Sequence, residues 1–280
     1  MLKIAGLGNN TVDKYVNQGM MYPGGNAVNV AVLARRYGLE TSYVGWLGND
    51  IYGKLILNSL EEEGVDTTYT HVKEDVNNYT EIYLSDGDRK FGKSRQGASS
   101  KFKPSSSDME FLSKHNLIHT SYYSRMEPYL DKLSKLDSII SFDFTDEFTT
   151  EYINKNIQYV DIGTFSISDK KINDIKSFMK NLYSKGLKIV ICTAGSSGSY
   201  LYDGRFYFQP IVEAEIIDTL GAGDGFIARF LVEYLRKTNI KEALKRAAIS
   251  AAEVCKYNGA FNRGIPILSN NIDEEDSQEA

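Results

Sequence analysis

Runs of apolar residues that predict buried strands alternate along the chain with longer patterns of helical period. The short apolar runs predict strands over residues 2–8, 42–47, 116–120, 138–144, 159–162 and 187–193. Patterns of helical period predict helices over 26–37, 50–63, 169–183, 223–236 and 241–257, with one more between 120 and 138. Because strands and helices that alternate form βαβ units, this order predicts an α/β fold with a mainly parallel sheet.

Two hairpin patterns interrupt the alternation. Residues 79–85 and 89–94 flank Asp86-Gly87-Asp88, and residues 199–202 and 206–208 flank Asp203-Gly204. A glycine after an aspartate at such a position is typical of a tight β-turn. Together with the polar and aromatic segment 12–22, the first hairpin predicts a small antiparallel flap over the binding edge of the sheet.

Composition and charge argue against several classes of protein. The chain has 280 residues, of which 42% are hydrophobic and 25% charged, and a formal charge of −5. Residues 269–280 carry five acids and no base, so the rest of the chain is neutral, which argues against a nucleic-acid-binding protein. We expect this tail to be solvated and disordered. Without a signal-peptide pattern or a membrane-length apolar run, and with Cys192 and Cys255 in apolar surroundings, we expect a reduced cytoplasmic protein.

Several partial motifs are discounted. Gly6 and Gly8 follow a strand, but Thr11 replaces the third glycine of a dinucleotide-binding loop. Gly48 to Lys54 has the spacing of a P-loop, but Leu55 replaces the hydroxyl residue that binds magnesium. His71, His115 and His119 lack the spacing of metal ligands, so we interpret them as structural or surface residues.

The strongest chemical signal is Asp218-Thr219-Leu220-Gly221-Ala222-Gly223-Asp224, which precedes an apolar helical run. Small residues at a helix start leave the backbone N–H groups open to an anion, and the helix dipole adds positive potential there. Asp224 in the first turn is then suited to accept a proton from an attacking hydroxyl. The alternative is an ordinary loop whose aspartate caps the helix, and loop chemistry alone favours that alternative.

Two further segments suggest ligand contacts. Gly24-Gly25 precedes Asn26 and Asn29, whose amides project from one helix start toward one place and suit sugar hydroxyls, as does Asp13 after the first strand. Residues 191–198 end a buried strand in small residues, which suits a nucleotide lying against the loop. A glycine-rich turn with an asparagine cap and a simple strand-to-hairpin turn are the structural alternatives.

Taken in order, these motifs resemble the ribokinase family, the PfkB-type carbohydrate kinases, over about residues 2 to 263. The resemblance implies a three-layer sandwich, with a mainly parallel central sheet between helices and a small β lid. It implies a kinase domain over residues 1–268, with lid pieces at about 12–22 and 78–95, and a separate tail over 269–280. It also implies ATP and Mg²⁺ as cofactors, a possible K⁺, a small-molecule sugar as substrate, and a homodimer formed through the lid.

The resemblance also assigns roles to individual residues. Asp224 would be the catalytic base, with an anion hole at Gly221, Ala222 and Gly223. Sugar-binding residues would be Asp13, Gly24, Gly25, Asn26, Asn29 and Arg89. Nucleotide-binding residues would be Thr193, Gly195, Ser196, Gly198, Gly223 and Asn258. Asp169 would help to bind Mg²⁺, and Asp218 a monovalent cation. The chain departs from the family at the Asn-x-x-Glu pattern that organises magnesium, where it has Ser166 and Asp169.

Within the family, segments such as GNNTVDKY, FDFTDEF and IDTLGAGDGFIARFL most resemble the bacterial fructoselysine 6-kinases. This subgroup implies ATP-dependent phosphorylation of the primary hydroxyl of fructoselysine or a related fructosamine. Two alternatives stay open: a kinase for another sugar or a nucleoside, and a catalytically silent sugar-binding sensor. An intact Gly-Ala-Gly-Asp sequence weighs against the sensor.

Overall fold

The alternating strands and helices form one long sheet with helices on both faces, and a second, smaller sheet lies beside it. The structure is a computed structural model that describes residues 2–85, 88–167 and 174–267. The strands, in chain order, are β1 Lys3–Leu7, β2 Thr11–Tyr15, β3 Met20–Gly24, β4 Glu40–Gly48, β5 Thr70–Lys73, β6 Tyr79–Ser85, β7 Asp88–Arg95, β8 Leu117–Ser121, β9 Ile139–Asp143, β10 Ile162–Ser166, β11 Ile189–Thr193, β12 Ser199–Tyr202, β13 Phe206–Gln209 and β14 Ile265–Pro266. The helices are α1 Asn26–Arg36, α2 Ile51–Glu62, α3 Ser106–Leu112, α4 Leu130–Leu133, α5 Thr150–Asn156, α6 Ile175–Ser184, α7 Ala222–Leu235 and α8 Ile240–Val254.

The large sheet has nine strands among the described residues, in the order β13-β12-β11-β10-β9-β8-β1-β4-β5. From β11 to β5 every neighbouring pair is parallel, and only the hairpin strands β12 and β13 run antiparallel. Parallel strands end at the same edge, so the loops after β1, β8, β9, β10 and β11 all open on one side. Ligand-binding residues of open α/β sheets collect at this edge.

Alternation of side chains along each strand divides the core into two layers. Ile4, Leu117 and Ile191 face α1, α2, α7 and α8, and they form one cluster with the apolar sides of those helices. Their neighbours Ala5, Ile118 and Cys192 face the opposite side, where they pack with side chains from α3 to α6. Successive side chains on a strand point to opposite faces, so a strand buried on both faces reads as a continuous apolar run. The three-layer sandwich is confirmed.

The second sheet has the order β14-β3-β2-β6-β7 among the described residues. It contains the two segments that the sequence predicted as flap pieces, 12–22 and 78–95. Its pairing differs from the antiparallel prediction, because β2 and β6 run parallel. Strand β2 follows β1, and β6 follows β5, and β1 and β5 run in the same direction in the main sheet. Both β2 and β6 therefore enter the small sheet in the same direction.

Several predicted elements differ in position or length. The strand predicted at 159–162 begins instead at Ile162, because Ile157–Tyr159 forms a 3-10 turn. Two 3-10 turns and the four-residue α4 occupy the region between β8 and β9 where one helix was predicted. Two short helices (α3 and α5) and two edge strands (β5 and β14) lacked a clear periodic pattern and were not predicted.

The discounted P-loop match is a helix cap. The Asp50 carboxylate accepts the Gly53 N–H at 3.0 Å, and the same residue is the N-cap of α2. A carboxylate that occupies the helix N-terminus in this way leaves no place there for a phosphate.

Among the described helices, none combines the length and the apolar character that a bilayer crossing requires.

Candidate active site

Asp224 lies in the first turn of α7, at the end of a loop that only small residues can form. Gly221 precedes the helix with φ of 81°, and a Cβ there would lie 2.5 Å from the Cβ of Ala260. Glycine is the residue that adopts such a left-handed conformation without strain. Gly223 is exposed, and a Cβ built on it would meet no protein atom within 4 Å. The helix start therefore faces open space at Gly223.

The backbone N–H groups of this turn are partly available to a ligand. The Ala222 N–H donates to the carbonyl oxygen of Thr219 at 3.2 Å. No side chain caps the helix. Within the described ranges, the N–H groups of Gly223 and Asp224 have no protein acceptor. Two open N–H groups at the positive end of a helix form a site for an anion such as a phosphate.

Two asparagines from the start of α1 orient the Asp224 carboxylate. The Asn26 Nδ2 donates to one oxygen at 2.7 Å, and the Asn29 Nδ2 donates to the other at 2.6 Å. The two side chains are three residues apart and therefore lie on one face of α1. Asn29 is also 5% exposed, and its Oδ1 has no partner among the described residues.

A second carboxyl, which the sequence reading did not identify, lies beside Asp224. The Asn26 Nδ2 also donates to Oδ2 of Asp143 at 3.1 Å, so one amide group connects the two acids. Asp143 is the last residue of β9, at the carboxyl edge of the sheet. Its position at the end of a buried strand was the signal available in the segment FDFTDEF.

Burial raises the pKa of both acids. It raises the pKa of Asp143 to about 7, and the nearby charge of Asp224 acts in the same direction. The pKa of Asp224 is raised by burial too, although the hydrogen bonds from Asn29 and Asn26 oppose that shift. Neither acid forms an ion pair with a described residue. A carboxylate of raised pKa is a stronger base than an exposed one.

Asp13 and the paired glycines lie next to one another in the small sheet, just before the start of α1. Asp13 is a buried residue of β2, and a Cβ on Gly24 would lie 2.5 Å from its Oδ2. Gly25 has φ of 101° and lies against the backbone of Asn10. A Cβ built on Gly25 would be 2.6 Å from Cα of Asn10. The glycines thus allow β3 to approach both Asp13 and the loop after β1, while placing Asn26 at the start of α1.

The predicted nucleotide-binding residues form a turn at the end of β11. Thr193 ends that strand, and Gly195–Ser197 forms a 3-10 turn in which Gly195 and Ser196 are exposed. Gly198 closes the turn with φ of 92°, and its carbonyl oxygen accepts the Ala194 N–H at 2.8 Å. Asn258 follows α8 and has a buried Oδ1 with no partner among the described residues.

Asp218 has a structural set of partners. Its carboxylate accepts hydrogen bonds from the Tyr15 hydroxyl, from the Gly259 N–H at 3.1 Å and from the Leu220 N–H at 2.9 Å. These bonds connect the small sheet, the loop before α7 and the segment after α8. The cation role of Asp218 stays a prediction.

Two predicted residues have side chains that the structure does not describe. Asp169 falls in the gap between 167 and 174, and the side chain of Arg89 is also not described. Ser166, at the position of the family asparagine, donates its N–H to the carbonyl oxygen of Thr145 at 2.7 Å.

Comparison with known proteins identifies the family of this chain. The family model for the pfkB family of carbohydrate kinases matches residues 4–267. The chain is 42% identical over 270 residues to the fructosamine kinase FrlD of Bacillus subtilis, covering 95% of each chain. It is 32% identical over 262 residues to the fructoselysine 6-kinase of Escherichia coli, covering 93% of this chain and all of that protein.

Solved structures of low sequence identity share the fold. A ribokinase of Arabidopsis thaliana, complexed with ribose and ATP, superimposes with a TM-score of 0.80 at 22% identity, over 94% of this chain and 95% of that one. A fructokinase of Xylella fastidiosa with bound ATP gives 0.78 at 19% identity, over 99% of both chains.

Proposed function

Because the chain belongs to the pfkB family of carbohydrate kinases, we propose that it phosphorylates a fructosamine, such as fructoselysine, on its primary hydroxyl to give the 6-phosphate. The observation that carries the proposal is the Asp224 carboxylate, oriented by two asparagines beside two open N–H groups at the start of α7. The names of the two similar proteins, a fructosamine kinase and a fructoselysine 6-kinase, support the choice of substrate.

The chemistry assigned to Asp224 is general-base catalysis. Its carboxylate accepts the proton of the sugar hydroxyl as that oxygen forms a bond to the γ-phosphorus of ATP, and the bond from this phosphorus to the bridging oxygen breaks to release ADP. The hydrogen bonds from Asn26 and Asn29 fix both carboxylate oxygens, so the base needs little reorganisation.

The N–H groups of Gly223 and Asp224 stabilise the phosphoryl group in transit. Charge develops on its non-bridging oxygens, and backbone N–H groups that are already in place need no rearrangement to meet it. Gly223 leaves room for such an approach.

Two neighbouring carboxyls without an ion pair fit a divalent cation. Mg²⁺ in phosphoryl-transfer sites takes one or two carboxylates together with phosphate oxygens and water, and Asp143 offers such a carboxylate while Asp224 stays available as the base. When bound, the ion neutralises charge on the phosphates. Asp143 thus offers a described carboxyl near the site in a chain that lacks the asparagine of the family pattern.

The remaining assignments concern binding. Asp13 and the Oδ1 of Asn29 are the acceptors for sugar hydroxyls, since one is a buried carboxylate and the other a buried oxygen without a partner. The turn from Thr193 to Gly198 and the Oδ1 of Asn258 are assigned to the nucleotide. The K⁺ site, the homodimer and the cytoplasmic location stay predictions from the sequence.

A screen of acceptors tests the substrate. Release of ADP would be measured with MgATP and equal concentrations of fructoselysine, other fructosamines, free fructose, ribose and a nucleoside, and phosphorus NMR would locate the ester on the best product. We expect a kcat/KM for a fructosamine at least tenfold above that for any other acceptor. A higher value for fructose or a nucleoside would replace the substrate class, and sugar binding without ADP release would indicate a sensor.

The Asp224→Asn variant tests the base. We expect turnover to fall by about a hundredfold or more, a scale typical of losing a general base, while the KM for ATP changes little. Activity close to that of the parent protein would remove Asp224 from the role.

A further inference from the structure

A line of hydrogen bonds runs from the interior of the main sheet to the carboxylate proposed as the base. The Oγ of Ser141 lies 3.0 Å from Nδ1 of His119, and the Nε2 of His119 lies 2.8 Å from Oδ1 of Asn26. The Nδ2 of Asn26 then donates to Asp224 and Asp143 at 2.7 and 3.1 Å. Ser141 and His119 are directly paired residues of β9 and β8.

The chemistry of these groups fixes the direction of every bond. Asp224 acts as a base in its ionised form, and an ionised carboxylate only accepts, so the NH₂ group of Asn26 must face Asp224 and its carbonyl oxygen must face His119. That oxygen only accepts, so Nε2 of His119 must carry the proton. Its Nδ1 is then an acceptor, and the Ser141 hydroxyl must donate. A reversed amide would place its oxygen against the Asp224 carboxylate.

His119 is suited to hold this arrangement and not to exchange protons. The side chain is 0% exposed, and burial lowers its pKa to about 3. It therefore stays neutral over the range in which a kinase works, with one donor and one acceptor in fixed positions. Ser141 is equally buried, so water does not compete for either bond.

We propose that His119 is a positioning residue for phosphoryl transfer, which acts by locking the amide of Asn26 in the one orientation that holds the carboxylate of Asp224. The inference rests on the proposed role of Asp224 as the base. It assigns a functional task to a histidine that has no metal-ligand spacing and would otherwise be an ordinary core residue.

Without the hydrogen bond from His119, the Asn26 amide is free to rotate. One carboxylate oxygen of Asp224 would then lose its donor, while Asn29 would still hold the other. The base would keep its place in the chain but lose its orientation, and a misplacement of about 1 Å lowers a rate by about a hundredfold.

Two substitutions at His119 separate positioning from general stability. The amide nitrogen of a glutamine reaches the place of imidazole Nε2, whereas an asparagine reaches only the place of Nδ1. We expect His119→Asn to lower kcat by about 10- to 100-fold with the KM for ATP little changed. We expect the kcat of His119→Gln to be at least tenfold above that of His119→Asn, although both variants bury an amide and lose an aromatic ring.

His115 provides a matched control. It is also a buried histidine of the same protein, bonded to Ser42 Oγ at 2.9 Å and to the Phe111 carbonyl oxygen, and it has no bond to a site residue. His115→Asn should lower the melting temperature about as much as His119→Asn, without the selective loss of kcat. An equal loss of kcat in both variants, or equal activity of the Gln and Asn variants at His119, would overturn the proposal.

A double-mutant cycle tests whether the effect passes through Asn26. In an Asn26→Ala background, His119→Asn should lower kcat by less than about threefold, because the amide that it positions is gone. A full further loss would contradict the proposal. If Asp224→Asn keeps its activity in the same assay, Asp224 is not the base. If Asp224→Asn loses activity and His119→Asn does not, the proposed function stands and only the positioning role of His119 is contradicted.

Discussion

The site depends on neutral amides that face two half-buried acids, without a lysine or arginine bonded to Asp224 or Asp143 among the described residues. Asn26 and Asn29 donate to Asp224, and Asn26 also donates to Asp143. An amide orients a carboxylate without neutralising it, so the carboxylate keeps its negative charge and its capacity to accept a proton. Burial then raises the pKa of both acids. The arrangement favours a base at the expense of the stability of the unliganded protein.

The raised pKa of these acids predicts how the free energy of unfolding depends on pH. With pKa raised to about 7 from an ordinary value of 3.8, Asp143 keeps its proton in the folded protein after the unfolded chain has lost it. The free energy of unfolding therefore falls as pH rises between about 4 and 7. Asp224→Asn removes one such acid and also a negative charge that adds to the effect of burial on the pKa of Asp143. We expect the loss of stability from pH 5 to pH 8 to be smaller in this variant, by roughly 1 kcal/mol or more.

Chemical denaturation of the metal-free and ligand-free protein at both pH values measures this difference. Asp174→Asn is the control, because the pKa of that exposed cap is lowered and its charge does not change between pH 5 and 8. An equal pH dependence in the parent protein and Asp224→Asn would contradict the coupling.

The start of α7 is the element that determines whether a phosphate has a place to bind. Three glycines occur within five residues there, and each has a different surrounding. Gly221 has a positive φ and contacts Ala260, Gly225 contacts Val254, and Gly223 faces open space. The first two are therefore required by packing, whereas Gly223 has no structural requirement among the described residues. Its role is to leave the space open.

Gly223→Ala should accordingly separate stability from activity. Alanine is a better helix former than glycine, so we expect the free energy of unfolding to rise by about 0.5–1 kcal/mol. The added methyl group occupies the space assigned to the phosphate, so we expect kcat/KM for ATP to fall at least tenfold. Thermal unfolding and initial rates measure the two effects.

The neighbouring Gly225→Ala is the matched control for the helix-propensity effect. Its Cβ would lie 2.7 Å from Cγ2 of Val254, so this variant should lose stability. Unchanged kinetics in Gly223→Ala would show that phosphate does not approach at this position.

The junction between the small sheet and α2 is a second element with a defined set of contacts. The Arg95 guanidinium bonds to Oδ2 of Asp50 at 2.9 Å, and it lies 4.9 and 5.4 Å from the ring centres of Tyr79 and Tyr52. Arg95→Leu would leave the half-buried Asp50 carboxylate with one ion-pair partner fewer. We expect a loss of about 1–3 kcal/mol and faster amide exchange in β6 and β7.

Hydrogen exchange and denaturation would measure this effect. Lys101→Leu is the control, because its ion pair with Asp75 lies at the surface, where such pairs contribute little. If amide exchange in β6 and β7 stays as slow as in the parent protein, Arg95 does not stabilise the small sheet.

At the scale of the whole molecule, the site lies where two sheets meet. The main sheet supplies Asp143 and Thr193 at its carboxyl edge, the small sheet supplies Asp13, and α1 and α7 supply the residues between them. The segments that form the site are therefore far apart in the chain, and no short part of the protein holds it.

Removal of residues 268–280 should leave the enzyme intact. The tail carries the whole negative excess of the chain and no residue assigned to the site. We expect the shortened protein to keep kcat/KM within about twofold and its melting temperature within about 1 °C, because truncation is tolerated most often at chain termini. A larger change in either quantity would show that the tail contacts the folded body.

The sequence alone determined the alternating order of the elements, the family and the positions of Asp224, Asn26 and Asn29. Such features are local: a periodic pattern marks a strand or helix, and a glycine-rich turn marks a helix start. The family kinase activity followed from the same motifs taken in order, and it is confirmed by the family match and the two similar kinases.

Only the tertiary structure decided that Asp143 and His119 join the same group of residues. Each lies in an ordinary buried strand, and neither was predicted as a site residue from the sequence. Their contacts with Asn26 span 117 and 93 residues of chain. Such contacts depend on the parallel order of β8 and β9 and on the placement of α1 against their ends, which no local pattern encodes. The same reason explains the parallel pairing of β2 with β6, which a hairpin pattern by itself does not predict.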